Sequence, residues 1–165
     1  MTTTPSLKPT SALALIPALA LFTIIQACGG SHDAMAQESP DPIEGVWEGS
    51  VSVTNCSSGA VLASFLGANQ FHRGGTMSDT NSSPTATRGP GFGTWTKNGA
   101  TYTVKFRFFA YDAAGVLIGT RRVTRIVTLA ADGKTATGTN TNELFNTAGV
   151  SLATQCGTDT ASRVL

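Results

Sequence analysis

Residues 112–116 read Asp-Ala-Ala-Gly-Val, residues 130–134 Ala-Ala-Asp-Gly-Lys and residues 146–150 Asn-Thr-Ala-Gly-Val. Each is a three-residue loop that ends on glycine between two runs of alternating polarity. A type I turn followed by a left-handed residue needs glycine in that last place, and this is the usual three-residue β-hairpin. Asn98-Gly99 adds a fourth, tighter turn of the strongest short hairpin type. Four turns spaced this way give an antiparallel meander, and the fold class is read as all-β.

The turns also set a register. Residues paired across the three glycine-ended hairpins have numbers that sum to 228, 264 and 296, all even. Even positions are therefore expected to share one face across four strands. That face would hold Tyr102, Val104, Phe106, Phe108, Ile118, Ile126, Leu144, Val150 and Leu152. Lys105, Arg107, Arg121, Arg125 and Glu143 would hold the other. One apolar and one charged face suit a one-sided antiparallel sheet. The same register puts Arg121 opposite Glu143 and beside Arg107.

Upstream, Val46–Asn55, Asn69–Ser78 and Phe92–Lys97 read as strands, and residues 60–66 form a further strand or an irregular cover. Residues 78–91, rich in Ser, Thr, Pro and Gly, read as a long loop. With residues 60–66 included the count is eight. An even meander returns its last strand antiparallel to its first, so the sheet is expected to close as a small up-and-down barrel of about eight strands over residues 45–165. Closure removes the exposed edges that favour aggregation.

The composition agrees. A chain of 165 residues with 13% charged residues has room for one ordinary domain. Strong helix formers are sparse after residue 40. Lys8 is the only ionisable side chain before Cys28, and beyond it acidic and basic residues balance. A neutral domain has no electrostatic footprint for nucleic acid.

The N-terminus points to export. Residues 12–25 are an apolar block of 14, too short to span a bilayer and the right size for a signal-peptide core. Ile25-Gln26-Ala27-Cys28 resembles the bacterial lipoprotein box, in which the cysteine takes a diacylglycerol and becomes the first mature residue. Gln26 departs from the small or β-branched residue usual there. The rival exit is secretory cleavage after Ala34-Met35-Ala36. On the first reading residues 1–27 are the signal peptide, 28–44 a Gly/Ser/Pro-rich tether and 45–165 the barrel. The protein then sits in the cell envelope, periplasmic or outer, and meets the membrane through a lipid on Cys28. Lipidation or removal of Cys28 leaves Cys56 and Cys156, which can pair in an oxidising compartment or stay as buried thiols.

If Cys56 faces Cys156 across the closing seam, Gly49 faces Arg163 and Trp47 lies diagonally near it. Gly45, Trp47 and Arg163 resemble the lipocalin-like (calycin) pattern, a Gly-x-Trp on the first strand and a late arginine. The resemblance implies a barrel that takes a small ligand, with Arg163 packed on Trp47 by a cation–π contact. The Thr-Asp-Tyr-type loop and C-terminal helix of lipocalins are absent.

Arg122 is the odd charge on the expected inner face. An unpaired internal guanidinium costs several kcal/mol, so it holds an anionic head group, reaches water at the rim or pairs with Glu48 of the first strand. Phe106, Phe108 and Tyr102 are candidate walls of a ligand site, and Asn140 and Asn142 candidate polar contacts. His72 reads as an exposed strand residue or a rim ligand. No Gly-x-Ser-x-Gly, His-Glu-x-x-His or Cys-x-x-Cys occurs, and there is no nucleotide fingerprint. No catalytic residue, metal or cofactor is therefore expected. The first expectation is a non-catalytic envelope protein that binds a small hydrophobic or amphipathic ligand. A surface module for a protein or glycan, using Lys105, Arg107, Arg121 and Arg125 or the long loop at residues 78–91, is the second. A lumen-based cyclase or isomerase is the third.

Overall fold

The computed structural model describes residues 39–164. The expected signal peptide, Cys28 and most of the expected tether lie outside them. Eight strands follow in order: β1 Gly45–Thr54, β2 Val61–Phe71, β3 Thr76–Asn81, β4 Gly91–Asn98, β5 Thr101–Tyr111, β6 Leu117–Leu129, β7 Thr135–Phe145 and β8 Ser151–Arg163. Each pairs antiparallel with the next, and β8 pairs with β1 to close the barrel. Among the described residues there is no helix. The all-β, eight-stranded, closed meander is as the turns imply. Residues 38–165 make one compact unit that contains the core, the closing seam and the disulfide.

Residues 61–66 take the strand alternative and open β2, and one strand assignment needs correction. The stretch Asn69–Ser78 is not one strand but a hairpin, because Gly74 and Gly75 both take left-handed backbone (φ +86° and +84°) and reverse the chain. The loop that follows is shorter than expected, since Ser78–Asn81 belongs to β3 and Gly91 to β4.

The register also differs. The Asp112 N–H donates to the Val116 carbonyl (2.9 Å), and Asn146 does the same to Val150 (2.9 Å), so both three-residue turns form as expected. One residue further on, each outgoing strand takes an extra residue. Tyr111 stands opposite Leu117 but Ala110 opposite Gly119, leaving Ile118 unpaired. Phe145 stands opposite Ser151 but Leu144 opposite Ala153, leaving Leu152 unpaired. These are β-bulges. The middle turn is one residue longer than expected, because Ala130 bonds to Thr135 (2.9 Å) instead of Lys134.

A one-residue slip turns every side chain of a strand to the other face. The inner face is therefore even-numbered on β5 and β7 and odd-numbered on β6 and β8. Arg121 and Arg125 point in and Arg122 points out, the reverse of expectation. Arg122 faces Glu143 and Arg107 on the outside, and Arg121 stands opposite Leu144 and Phe108.

At the seam Trp47 stands directly opposite Arg163, and Gly49 opposite Ala161 rather than Arg163. Cys56 lies two residues past the end of β1 and reaches diagonally to Cys156, with Cα atoms 4.9 Å apart. The Arg163 guanidinium lies 4.6 Å from the Trp47 ring centroid.

The core fills one half of the barrel. Trp47, Phe71, Met77, Trp95, Tyr102 and Val127 pack there around Ile43, which is wholly buried. Ile43 belongs to residues 41–44, expected to be the end of a tether. They form a plug instead. Trp47 Nε1 donates to the Ile43 carbonyl (2.8 Å), Tyr102 Oη to Asp41 Oδ1 (2.6 Å) and Lys97 Nζ to Asp41 Oδ2 (3.2 Å). Arg163 donates to the carbonyls of Pro42, Glu44 and Gly133. A single apolar side chain docked through so many polar contacts closes this end of the barrel.

Candidate functional site

The other end is open. A cavity of about 70 Å³ lies in the lumen beyond the core, and a cleft of about 330 Å³ lies at the mouth. Val53, Phe65, Asn81, Arg88, Phe108 and Asn142 line both. The apolar wall includes Val51, Phe65, Phe106 and Val123. Phe106 and Phe108 stack with centroids 6.4 Å apart.

A chain of polar side chains crosses this wall. Arg125 Nε donates to Asp159 Oδ2 (2.9 Å), and Arg125 Nη2 pairs with Asp159 Oδ1. Arg125 Nη1 donates to Asn69 Oδ1 (2.9 Å), and Asn69 Nδ2 donates to Asp79 Oδ2 (2.7 Å). Asp79 Oδ1 pairs with Arg88 Nη2. Both ion pairs are nearly dry, with side chains 3–9% exposed. Buried charges survive only when paired and hydrogen-bonded, and Asn69 links the two pairs into one network.

Two guanidinium groups are left incompletely satisfied. Arg88 lies over the Phe108 ring, 4.0 Å from its centroid, and its buried Nε–H has no acceptor. Arg121, at the mouth, donates only to neutral amides: Gln155 Oε1 (3.1 Å) and Asn142 Oδ1 (3.3 Å). Burial pushes the Arg88 guanidinium down to about 10 and lowers Arg121 as well. Burial thus disfavours the charged form of both; Arg88 already has the Asp79 carboxylate, whereas Arg121 has no carboxylate partner among the described residues.

The expected site residues divide. Phe106, Phe108, Asn140 and Asn142 line the cavity. Tyr102 lies in the opposite half, bonded to the plug. Arg122 is on the outer face, 4.1 Å from the Phe145 ring centroid. The bulge at Ile118 gives its inward place to Arg121. His72 sits on the β2–β3 turn and bonds to Ser78 (3.2 Å), away from the cavity. Asn69, Asp79, Arg88, Arg125 and Asp159 carry the network and were not anticipated there. Asp79 and Arg88 fall in a stretch that reads as loop, and the inward place of Arg125 and Asp159 depends on the bulges.

Among the described residues no group of three His, Cys, Asp or Glu side chains could hold a metal ion. No protein-family model, curated protein or solved structure matches the chain.

Proposed function

We propose that this is an exported, lipid-anchored envelope protein whose lipocalin-like barrel binds a small amphipathic anion without chemical change. The apolar part of the ligand lies against Phe65, Phe106 and Val51. Its anionic head lies at the mouth, where Arg121 can donate to it. The observation that carries this reading is the charge balance of the lumen. Three guanidinium groups (Arg88, Arg121, Arg125) face two carboxylates (Asp79, Asp159), so one positive charge is left over. That charge is on Arg121, beside an apolar cavity. Ligand pockets usually pair apolar walls with a few placed polar groups. The cavity of about 70 Å³ shares its lining with the cleft of about 330 Å³ at the mouth, and together they suit a short or medium chain better than a long-chain lipid. The outer-face basic stripe that a surface-binding module would use is divided by the register, which removes its main support.

Decanoate and decanol, titrated by calorimetry, test the reading. Decanoate should bind and decanol should bind at least tenfold more weakly. Arg121→Gln should weaken decanoate about 10-fold or more, the scale of one lost charge-assisted hydrogen bond. Equal affinity for the two, or no binding of either, overturns it. The anchor has its own test. Mass spectrometry of the mature chain should find a diacylated Cys28 as first residue, and an unmodified Gln37 there would refute it.

A further inference from the structure

The two ends of the barrel carry different side chains. The plugged end presents polar turns at Arg73-Gly74-Gly75, Asn98-Gly99 and Asp132-Gly133-Lys134. At the open end, three hairpins carry bare aliphatic residues beside their turns. Val61 and Leu62 open β2 just past the polar turn Ser57-Ser58-Gly59, Val116 and Ile118 follow the β5–β6 turn, and Val150 and Leu152 follow the β7–β8 turn, each 39–64% exposed. The turns themselves use Asn, Asp, Ser and Gly, as turns do, and the exposed aliphatic side chains stand immediately after them. Ile118 and Leu152 are the two bulge residues. The same irregularity thus puts an extra apolar side chain at the rim of two separate hairpins. The one charge within these tips, Asp112, is folded back and accepts the N–H groups of Ala114 and Val116 (both 2.9 Å).

We propose that the open end docks on a lipid bilayer, with the three tips entering the boundary between head groups and acyl chains. Three observations favour lipid over a protein surface. The tips are separate fingers around an open mouth, and fluid acyl chains can fill the gaps between them. Their residues are Val, Leu and Ile, whereas protein-binding hot spots favour Trp, Tyr and Arg. Behind the tips, Arg107 and Arg122 lie on the outer face, neither in an ion pair among the described residues, with Glu143 as the one acidic neighbour in the ladder. They are placed to meet anionic head groups. Docking would set the cavity mouth against the bilayer, the phase from which an amphiphile would come. The docking surface goes beyond the ligand reading and stands without it.

Residues 38–165, which lack the apolar N-terminal block, are the right material for a test. They should co-sediment with vesicles of phosphatidylcholine and phosphatidylglycerol. Val61→Ser, Val116→Ser and Val150→Ser combined should lower partitioning at least tenfold with no change in the thermal melt. Trp47 and Trp95 lie in the plugged half and serve as internal controls. A Val116→Trp variant should be quenched by brominated phosphatidylcholine, and the two native tryptophans should not. Arg107→Ala with Arg122→Ala should remove only the part of the binding that depends on phosphatidylglycerol. Lack of sedimentation, equal sedimentation of the triple variant, or a dimer in ultracentrifugation that needs the same three valines would each overturn the proposal. Decanoate titration reads a different site, so failure there leaves this result intact.

Discussion

Arg125 on β6 and Asp159 on β8 meet across the intervening strand β7, over the place where Gly138 has no side chain. A Cβ there would lie 2.6 and 2.7 Å from the Asp159 oxygens and 2.9 Å from Arg125 Nε. Gly138 leaves room for the ion pair, and the pair leaves no room for anything else.

Gly138→Val should therefore force the pair apart and leave two charges buried without partners. Arg125→Ala should do the same to Asp159 alone, at about 3–5 kcal/mol. Arg125→Leu combined with Asp159→Leu should recover most of that loss, since two apolar groups need no partner. Urea unfolding of the three variants checks this. Equal loss in the double and single variants would mean that the pair does more than satisfy itself.

The disulfide closes a loop with a sequence separation of 100 residues. The chain-entropy argument gives about 4.7 kcal/mol for such a loop, and measured losses for small secreted domains run about 2–5 kcal/mol. Cys56→Ser with Cys156→Ser should fall in that range in urea unfolding. The native chain should lose as much on full reduction. A loss below about 1 kcal/mol would show that the β1–β8 ladder closes the barrel unaided.

The plug should be sensitive to pH at both extremes. Burial raises the Asp41 carboxyl, but hydrogen bonds from Tyr102, the Ile43 N–H and Lys97, with the Lys97 charge, bring it below its ordinary 3.8. Its stabilisation is present above 3.8 and is lost as pH falls through the lower folded value. Burial and the Asp41 carboxylate raise Tyr102 above 10.0. Its stabilisation is full below 10.0 and is lost as pH rises through the higher folded value. Asp41→Asn should flatten the acid limb of the stability profile, and Tyr102→Phe should reduce the alkaline limb. Tryptophan fluorescence reads the change, because both tryptophans pack beside the plug.

The features legible in the sequence were local. Gly115 and Gly149 announce their turns because left-handed backbone is cheap only for glycine, and both turns form. Strand number, closure, the cysteine pair and the contact of Trp47 with Arg163 follow from counting and from the seam. The faces of β6 and β8 did not follow, because one extra residue exchanges a strand's two sides. Gly119 was a visible sign, since an isolated glycine within a strand suggests a bulge. Leu152 carries no such mark. Arg121 and Arg122 are adjacent in sequence, and only that slip decides which of them faces the lumen.

Gly119 should then be the residue on which the inner face depends. Its φ is +150°, and a Cβ there would lie 1.8 Å from the Phe145 carbonyl oxygen on β7. That atom is backbone within the ladder and cannot turn aside. Gly119→Ala should either break the pairing at the mouth or force β6 out of its bulge. Loss of the bulge would send Arg121 and Arg125 outward and bring Arg122 in, leaving Asp159 buried without its cation. Both outcomes cost far more than the few tenths of a kcal/mol of an ordinary surface change, about 3 kcal/mol or more. Urea unfolding measures the loss. Amide hydrogen exchange locates it, since opening at the mouth should leave the plugged half protected. A variant as stable as the native chain would show that the register is held elsewhere along β6.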